Sequence, residues 1–451
     1  QMGRLFGTDG ARGVAITELT CETAMNIGRA AAIVLTKRTK HKPTIFIGKD
    51  TRISSDVLEA ALASGICSVG ANVQILGVVP TPAVADLVQQ KKADAGVMIS
   101  ASHNSFEFNG IKLFSSDGYK LSDDIEEEIE ELILDKPQDM KLAADGEVGR
   151  ITYYRDAQSD YIRYIMKCIK GNLTGLRIAL DCANGSASAT AKRLFEGLGA
   201  SVYVINASPN GVNINENCGS THINNLMQFV IDKKCHAGLA FDGDADRCLA
   251  VDEKGELVDG DKLIAICAKA YKEKGKLKKD TAVVTVMSNL GFTYFARNND
   301  IKMQTTKVGD RYVLERMLEG GYNLGGEQSG HIIFLDEANT GDGQLSGAKV
   351  LEILAESGLK MSELASVMEH FPQVMINVKI SPRNREVWKN DSQITDLIEM
   401  YENELGDGGR ILVRESGTEP LIRVMLEGRD FKQINSFAVA IADKIRERTG
   451  K

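Results

Sequence analysis

The sequence predicts an α/β protein made of three related βαβ-type mixed-sheet domains and a C-terminal α+β domain. Three observations carry this prediction. The chain has 451 residues, too many for one core when domains run to about 100–200 residues. One alternation of apolar strands with helical repeats recurs three times, and after about residue 367 the rhythm changes.

The first unit reads strand "TIFIG" from Thr44, a helix to about Ser68, strand "NVQILG", a helix after Thr81 and Pro82, and strand "AGVMIS". From Leu176 the plan returns as "LRIALD", a helix over "SASATAKRLFEGLG", "SVYVIN", a helix before Lys234, and "AGLAFD". From Thr281 it returns again as "TAVVTVM", a helix, "IKMQTT", a helix after Gly309, and "GYNLGG". Helices of this length between strands call for right-handed crossovers and largely parallel sheets. The last part reads strand "QVMINVKI", helix "SQITDLIEMYENEL", strands "GRILV" and "LIRVMLEG", and a final helix after Asp430. Pro372 and the turn "SPRN" suit a boundary or hinge near 367–373.

In each α/β unit the last strand runs into a polar loop, "SASHN", "DGDADR" or "GGEQSG", and then into another apolar strand. Ligands of open α/β sheets gather at the carboxyl ends of strands, so three such loops are expected to converge on one cleft.

A formal charge of −8 with no basic stripe argues against a nucleic-acid surface. No apolar run is long enough to span a membrane, and no basic segment leads into an apolar one at the start, so neither a membrane helix nor a secretory signal is expected. Gln1 ahead of Met2 reads as an addition to the natural start. Eight scattered cysteines without C-x-x-C spacing, among them Cys67 and Cys267 inside helical patterns, suit a reduced, cytoplasmic protein. In the acidic run "SDDIEEEIEELILD", Ile125, Ile129, Leu132 and Ile133 form one helical stripe, and the acids read as its wet face.

The chemistry concentrates in four places. In "FDGDADRCLAVD", Asp242, Asp244 and Asp246 alternate after an apolar strand. Carboxylates ~5 Å apart at an effective dielectric of ~20 repel by about 3 kcal/mol per pair, so their convergence calls for a cation. Oxygen donors alone point to Mg²⁺, with Mn²⁺ or Ca²⁺ as alternatives. A calcium-binding EF-hand would use Glu253 at its twelfth position, but it needs Gly at the sixth, where Arg247 stands. Ser102 lies where a strand becomes a loop, commonly a turn residue. A Ser-His-Asp hydrolase is disfavoured, because His103 is merely adjacent and no G-x-S-x-G elbow surrounds the serine. Facing a metal-binding triplet, Ser102 suits a phosphoryl carrier. In "RESGTEPLIR", Arg414, Ser416, Thr418 and Arg423 combine guanidinium forks and hydroxyls around a turn containing Gly417, a receptor for a dianionic phosphate or else an ordinary polar hairpin. In "GGEQSGH", Glu327, Ser329 and His331 can hydrogen-bond vicinal hydroxyls or an amine.

With "SASHN" and "NGIK", "DGDADR", "GGEQSGH" and "RESGTEP" in this order, the chain resembles the α-D-phosphohexomutase family over nearly its whole length. The opening "FGTDGARG" and the form "GGEQSGH" resemble its glucosamine-phosphate branch. The resemblance implies four domains around a central cleft, taken here as 1–150, 151–252, 253–367 and 368–451. It implies a phosphorylated Ser102 that coordinates one Mg²⁺ with Asp242, Asp244 and Asp246. That serine would pass its phosphoryl group to a hexosamine 6-phosphate, giving a sugar 1,6-bisphosphate that reverses in the cleft and returns its other phosphate. Glu327, Ser329 and His331 would hold the sugar, and Arg414, Ser416, Gly417, Thr418 and Arg423 the unreacting phosphate. Lys112, Arg12, His103 and Arg247 would surround the transferring group, with Lys112 as a proton shuttle or charge stabiliser. A homodimer and a place upstream of amino-sugar nucleotides and cell-wall precursors are further implications.

Other readings stay open: a phosphoglucomutase or phosphomannomutase, a Mg²⁺-dependent phosphohydrolase, or a non-catalytic sugar-phosphate binder. One departure from the family pattern is Ser105, where the loop usually carries proline; its loss frees φ and is expected to loosen the loop.

Overall fold

The computed structural model describes residues 4–7, 9–381, 387–416 and 421–449. Gln1, Met2, Gly417, Thr418 and most of the "SPRN" turn lie outside the described residues. The chain divides into two compact units, one of Gln1–Met287 and Ile301–Val367, the other of Ser288–Asp300 and Met368–Lys451.

The larger unit holds three mixed sheets built on one plan. In the six-stranded sheet, Thr44–Lys49 lies between Asn72–Val78 and Ala95–Ile99, all parallel, and Phe108–Ser115 returns antiparallel to Ala95–Ile99. In the five-stranded sheet, Arg177–Asp181 is flanked in parallel by Ser201–Ile205 and Ala237–Phe241, with Cys248–Asp252 returning antiparallel. In the four-stranded sheet, Thr281–Thr285 pairs in parallel with Lys302–Thr306 and Leu324–Gly326, and Ile332–Phe334 returns antiparallel. Each polar loop anticipated from the sequence is therefore the hairpin between a parallel strand and its antiparallel return. Strands Ala95–Ile99 and Ala237–Phe241 are buried at every residue, as their unbroken apolar composition requires of a sheet covered on both faces.

Local chemistry accounts for most helix ends. Helix Cys21–Thr36 is capped by Thr20, whose side chain accepts from the Thr23 N–H, and helix Gly343–Ser357 by Asp342, which accepts from the Leu345 N–H. The latter ends at Gly358, whose φ of +67° only glycine adopts without strain. Two local expectations are corrected. The stretch 186–199 is not one helix: Ser186–Ala189 is a 3₁₀ turn, and Ala191–Gly197 begins only after Thr190 leaves helical geometry at φ −125°. The acidic helix Asp123–Leu134 packs Ile129 into the core, with Ile125, Leu132 and Ile133 partly buried beside it, but its acids do not all face water. Glu130 is buried and accepts the N–H groups of Arg4, Leu5 and Phe6 at 2.7–3.0 Å, which fastens the start of the chain to the helix.

The smaller unit packs helices Leu290–Asn298, Ser392–Leu405 and Phe431–Thr449 with an antiparallel sheet ordered Gln373–Lys379, Leu421–Gly428, Gly409–Glu415. Its core includes Ile394, Ile422, Val424, Leu426, Phe437 and Ile441. Glu427 is fully buried there, accepting from the Leu290 N–H at 3.0 Å and from Arg410 Nε at 2.6 Å. Cys67 and Cys267 are buried in helices, and all eight cysteines are free thiols. Among the described residues, no helix is long and apolar enough to cross a membrane.

Candidate active site

Strand Ala95–Ile99 delivers the chain to Ser100, whose hydroxyl donates to buried Asp50 at 2.6 Å and accepts the Ser102 N–H at 3.0 Å. Ser102 then turns at φ +53°, a left-handed conformation that disfavours side chains with a Cβ. The turn is tight enough to keep Ser102 only 1% exposed while its hydroxyl donates to Asp242 Oδ2 at 2.6 Å, across 140 residues of sequence.

Asp242, Asp244 and Asp246 are buried on the hairpin between Ala237–Phe241 and Cys248–Asp252, and their nearest oxygens lie within 4.8 Å of one another. Ala245, at φ +53°, lets the loop fold back so that alternate residues face one point. Oxygens around one Mg²⁺ at about 2.1 Å sit about 3–4 Å apart, so a modest contraction would complete the set. Asp244 Oδ1 and Asp246 Oδ1 are buried without a hydrogen-bond partner, and every donor is an oxygen; both facts fit a hard divalent cation. Burial, with repulsion from Asp246 and Asp244, holds the Asp242 carboxyl well above the usual range, the state a cation would reverse. The EF-hand alternative fails structurally: Arg247 precedes a strand, and Glu253 instead accepts from the Ser362 N–H at 2.9 Å.

Lys112, on the return strand and 2% exposed, places Nζ 2.8 Å from Asp244 Oδ2, 3.3 Å from Asp9 and 3.8 Å from Asp246. Burial opposes its charge, yet Asp244, Asp9 and Asp246 raise its pKa above the ordinary lysine value. As placed, it is a fixed cation, which favours charge stabilisation over proton shuttling. Thr81, at the start of helix Thr81–Gln90, donates its hydroxyl to the same Asp244 oxygen at 2.5 Å. His103 Nδ1 stands 3.3 Å from Arg247 Nη1; burial first, then Arg247 and Arg12, push its pKa down to about 4, leaving a neutral imidazole. Arg12 pairs with Asp9.

The third loop lies beside the second. The Cys248 N–H donates to Gly330 O and the Gly260 N–H to Gln328 O, both at 3.0 Å. Gly330 has φ +95°, and a Cβ there would lie 2.3 Å from Cys248 O, so only glycine allows the approach. Glu327 accepts the Gly309 N–H at 3.0 Å, and burial raises its carboxyl. Ser329 Oγ is buried without a hydrogen-bond partner, and buried His331 holds Nε2 3.3 Å from Asp310. The three loops do share one locality.

Several residues of this network carry no obvious sequence signal. Asp9 stands in "FGTDGARG", Thr81 reads only as a helix start, and Lys120 follows a glycine turn; Lys120 nonetheless bridges Asp9, at 2.9 Å, and Asp310.

Arg414, Ser416 and Arg423 belong to the smaller unit. Arg414 lies directly opposite Arg423 in the antiparallel pair Gly409–Glu415 and Leu421–Gly428. Burial and the neighbouring Arg423 lower the Arg414 pKa. Two guanidinium-bearing side chains thus stand side by side on one strand pair, an arrangement that suits a phosphate receptor and an ordinary polar hairpin alike. The Ser416 N–H donates to Leu421 O at 2.9 Å.

Known proteins carry the same plan. Models for phosphoglucomutase/phosphomannomutase α/β/α domains I, II and III match residues 3–140, 159–255 and 259–371, and the model for the C-terminal domain matches 375–444. The phosphoglucosamine mutase of Acetivibrio thermocellus is 55% identical over 449 residues, covering 100% of both chains. That of Clostridium acetobutylicum is 55% identical over 447 residues, covering 99% of this chain and 100% of its own. A crystal structure of a phosphoglucomutase/phosphomannomutase family protein from Burkholderia thailandensis shares the fold, with a TM-score of 0.82 at 22% identity over 99% of this chain and 98% of that one. Four domain models in order and full-length relatives at this identity establish that the chain belongs to the phosphoglucomutase/phosphomannomutase family.

Proposed function

We propose that this chain is an enzyme that interconverts glucosamine 6-phosphate and glucosamine 1-phosphate through a phosphorylated Ser102 and a sugar 1,6-bisphosphate. The observation that carries the proposal is the 2.6 Å approach of Ser102 Oγ to Asp242 in a buried, oxygen-only cluster. The choice of glucosamine follows the full-length relatives, named as phosphoglucosamine mutases.

Asp242, Asp244, Asp246 and the Ser102 phosphate would hold one Mg²⁺, which when bound neutralises the charge of the transferring phosphate. In the first half-reaction the O–P bond at Ser102 breaks, a bond to the sugar 1-hydroxyl oxygen forms, and the proton lost by that hydroxyl is balanced by the one Ser102 regains. In the second half-reaction, with the bisphosphate reversed in the cleft, the O6–P bond breaks, the Ser102 O–P bond re-forms, and the proton lost by Ser102 passes to the 6-hydroxyl oxygen. Lys112 and Arg247 would stabilise the phosphate charge, with Arg12 and His103 beside them. Glu327, Ser329 and His331 would hold sugar hydroxyls or the amine, and Arg414, Ser416 and Arg423 the phosphate that is not reacting. Positioning and charge stabilisation supply most of the rate in such transfers. Eight free thiols suit a reducing cytoplasm.

Intact mass of the purified protein should show an increment of about 80 Da mapping to Ser102. Ser102→Ala should abolish turnover while leaving the thermal transition unchanged. Residual mutase activity in that variant, inorganic phosphate released at the rate of substrate loss, or a higher kcat/KM for glucose 1-phosphate than for glucosamine 1-phosphate would each overturn the proposal.

A further inference from the structure

The carbonyl of Ser102 is held as closely as its hydroxyl. Asn215 Nδ2 donates to Ser102 O at 2.8 Å and Arg52 Nη2 donates to it at 3.1 Å. The same Asn215 amide donates to Asn104 O at 2.9 Å, and Arg52 Nη1 donates to Phe108 O at 3.0 Å and to Ser105 O. The carbonyl also abuts Gly243, where a Cβ would lie 2.4 Å away. Four loop carbonyls are thus anchored from two sides, so the loosening expected from Ser105 in place of proline is countered by hydrogen bonds.

Both anchors are themselves fixed. Arg52 is fully buried, with Nε 2.8 Å from Asp50 Oδ2, and that carboxylate also accepts the Ser100 and Ser55 hydroxyls. Asn215 comes from the neighbouring sheet's domain, where its N–H donates to Ala183 O at 2.9 Å. Neither side chain reaches the Ser102 hydroxyl. They act on a residue held at a strained φ of +53°, adding to the local bonds from the Ser102 N–H to the Ser100 hydroxyl and from the Asn104 N–H to Ala101 O, both at 3.0 Å. Released, Ser102 would relax toward negative φ and swing Oγ away from Asp242.

We propose that Arg52 and Asn215 are positioning residues that clamp the Ser102 main chain and so set the rate of phosphoryl transfer, without contributing to sugar binding. This rests on Ser102 being the phosphoryl carrier. The test uses full-length Asn215→Ala and Arg52→Lys, the latter keeping a cation for Asp50 but losing the fork. The readouts are single-turnover phosphorylation of dephosphorylated Ser102 by glucosamine 1,6-bisphosphate, followed by intact mass, together with kcat, KM for glucosamine 1-phosphate and the thermal midpoint. A displacement of about 1 Å at the reacting atom predicts transfer and kcat slower by on the order of 100-fold in Asn215→Ala, with KM within about 3-fold of wild type, and a smaller loss in Arg52→Lys. Wild-type transfer rates in folded Asn215→Ala, or a loss residing wholly in KM, would overturn the clamp. If Asn215→Ala shows no cooperative unfolding, Arg52→Lys is judged by the same criteria. A wild-type protein that takes no phosphoryl group at Ser102 would overturn the mutase reading as well.

Discussion

The ammonium of Lys120 donates to the carboxylate of Asp310 across 190 residues of sequence, joining a turn of the first α/β domain to the first residue of helix Asp310–Gly320 in the third. Lys120 also holds Asp9 at 2.9 Å, Asp9 lies 3.3 Å from Lys112, Lys112 lies 2.8 Å from Asp244, and Asp310 lies 3.3 Å from His331. Charges therefore alternate without a gap from Asp244 to Asp310, which meets His331 of the third loop. Burial would raise both carboxyls, yet Lys112 and Lys120 hold Asp9 well below the usual range, and Lys120 holds Asp310 below it.

Replacing Lys120 tests this chain of charges. Lys120→Met leaves Asp9 and Asp310 facing each other without their shared cation, a loss of about 2–3 kcal/mol for a pair with some solvent access. The thermal midpoint should fall by several degrees, and kcat/KM should fall about 10-fold, mostly through KM as the His331 loop loses its tether. Lys120→Arg should recover most of both. Unchanged KM in a destabilised Lys120→Met would reduce the bridge to a purely structural role.

The aspartate triplet makes a prediction of opposite sign for stability and activity. With no cation bound, burial and the neighbouring Asp246 and Asp244 make an ionised Asp242 unfavourable, a cost that Asn avoids, so Asp242→Asn should raise the thermal midpoint in chelator while lowering turnover by at least about 100-fold. Adding Mg²⁺ should stabilise the wild type and leave Asp242→Asn nearly unmoved. Equal stabilisation of both proteins by Mg²⁺, read by scanning calorimetry, would place the ion elsewhere.

The regular elements are legible because pattern and punctuation agree: "TIFIG", "AGVMIS" and "AGLAFD" are short apolar runs between turn residues, and each is a strand within a residue or two. The break at Thr190 has no local signal, and the hydroxyl there accepts from Gln344, 154 positions away, at 2.7 Å. The same division holds in the site. Ser102 and the aspartates stand out, since oxygen-rich chemistry at a strand end has few structural uses. Thr81, Lys120 and Asn215 look like ordinary loop or cap residues, and their meaning comes from the neighbouring domain each one meets; that of Arg52 comes from Ser102 and Phe108, some fifty positions further along its own domain. Glu130 is hidden for a similar reason: within an acidic helix, only the chain segment 4–6 lying over it distinguishes it from its solvated neighbours.

Arg414 and Arg423 stand directly opposite each other in the antiparallel pair. A phosphate dianion bound there would meet two guanidinium groups at once. Arg414→Ala or Arg423→Ala should raise KM for glucosamine 1-phosphate about 10-fold or more with a smaller change in kcat. Inorganic phosphate should raise the thermal midpoint of the wild type more than that of either variant. An unaltered KM in both variants would remove this hairpin from the substrate site.

Asp342 gives a pH dependence whose direction follows from its surroundings. Its side chain caps helix Gly343–Ser357 and accepts the Tyr161 hydroxyl at 2.8 Å, yet burial pushes its carboxyl up to about 6. A raised acid binds its proton more tightly folded than unfolded, so its contribution is fully favourable below about pH 4 and is lost as pH rises through 6. Keeping the buried carboxylate ionised at neutral pH therefore costs roughly 3 kcal/mol, at about 1.4 kcal/mol for each tenfold gain in proton affinity. Asn keeps the capping oxygen and carries no charge. Asp342→Asn should therefore raise the thermal midpoint at pH 7.5 by several degrees and change it little at pH 4. Equal shifts at both pH values would mean that packing around residue 342, rather than the charge buried there, sets the difference.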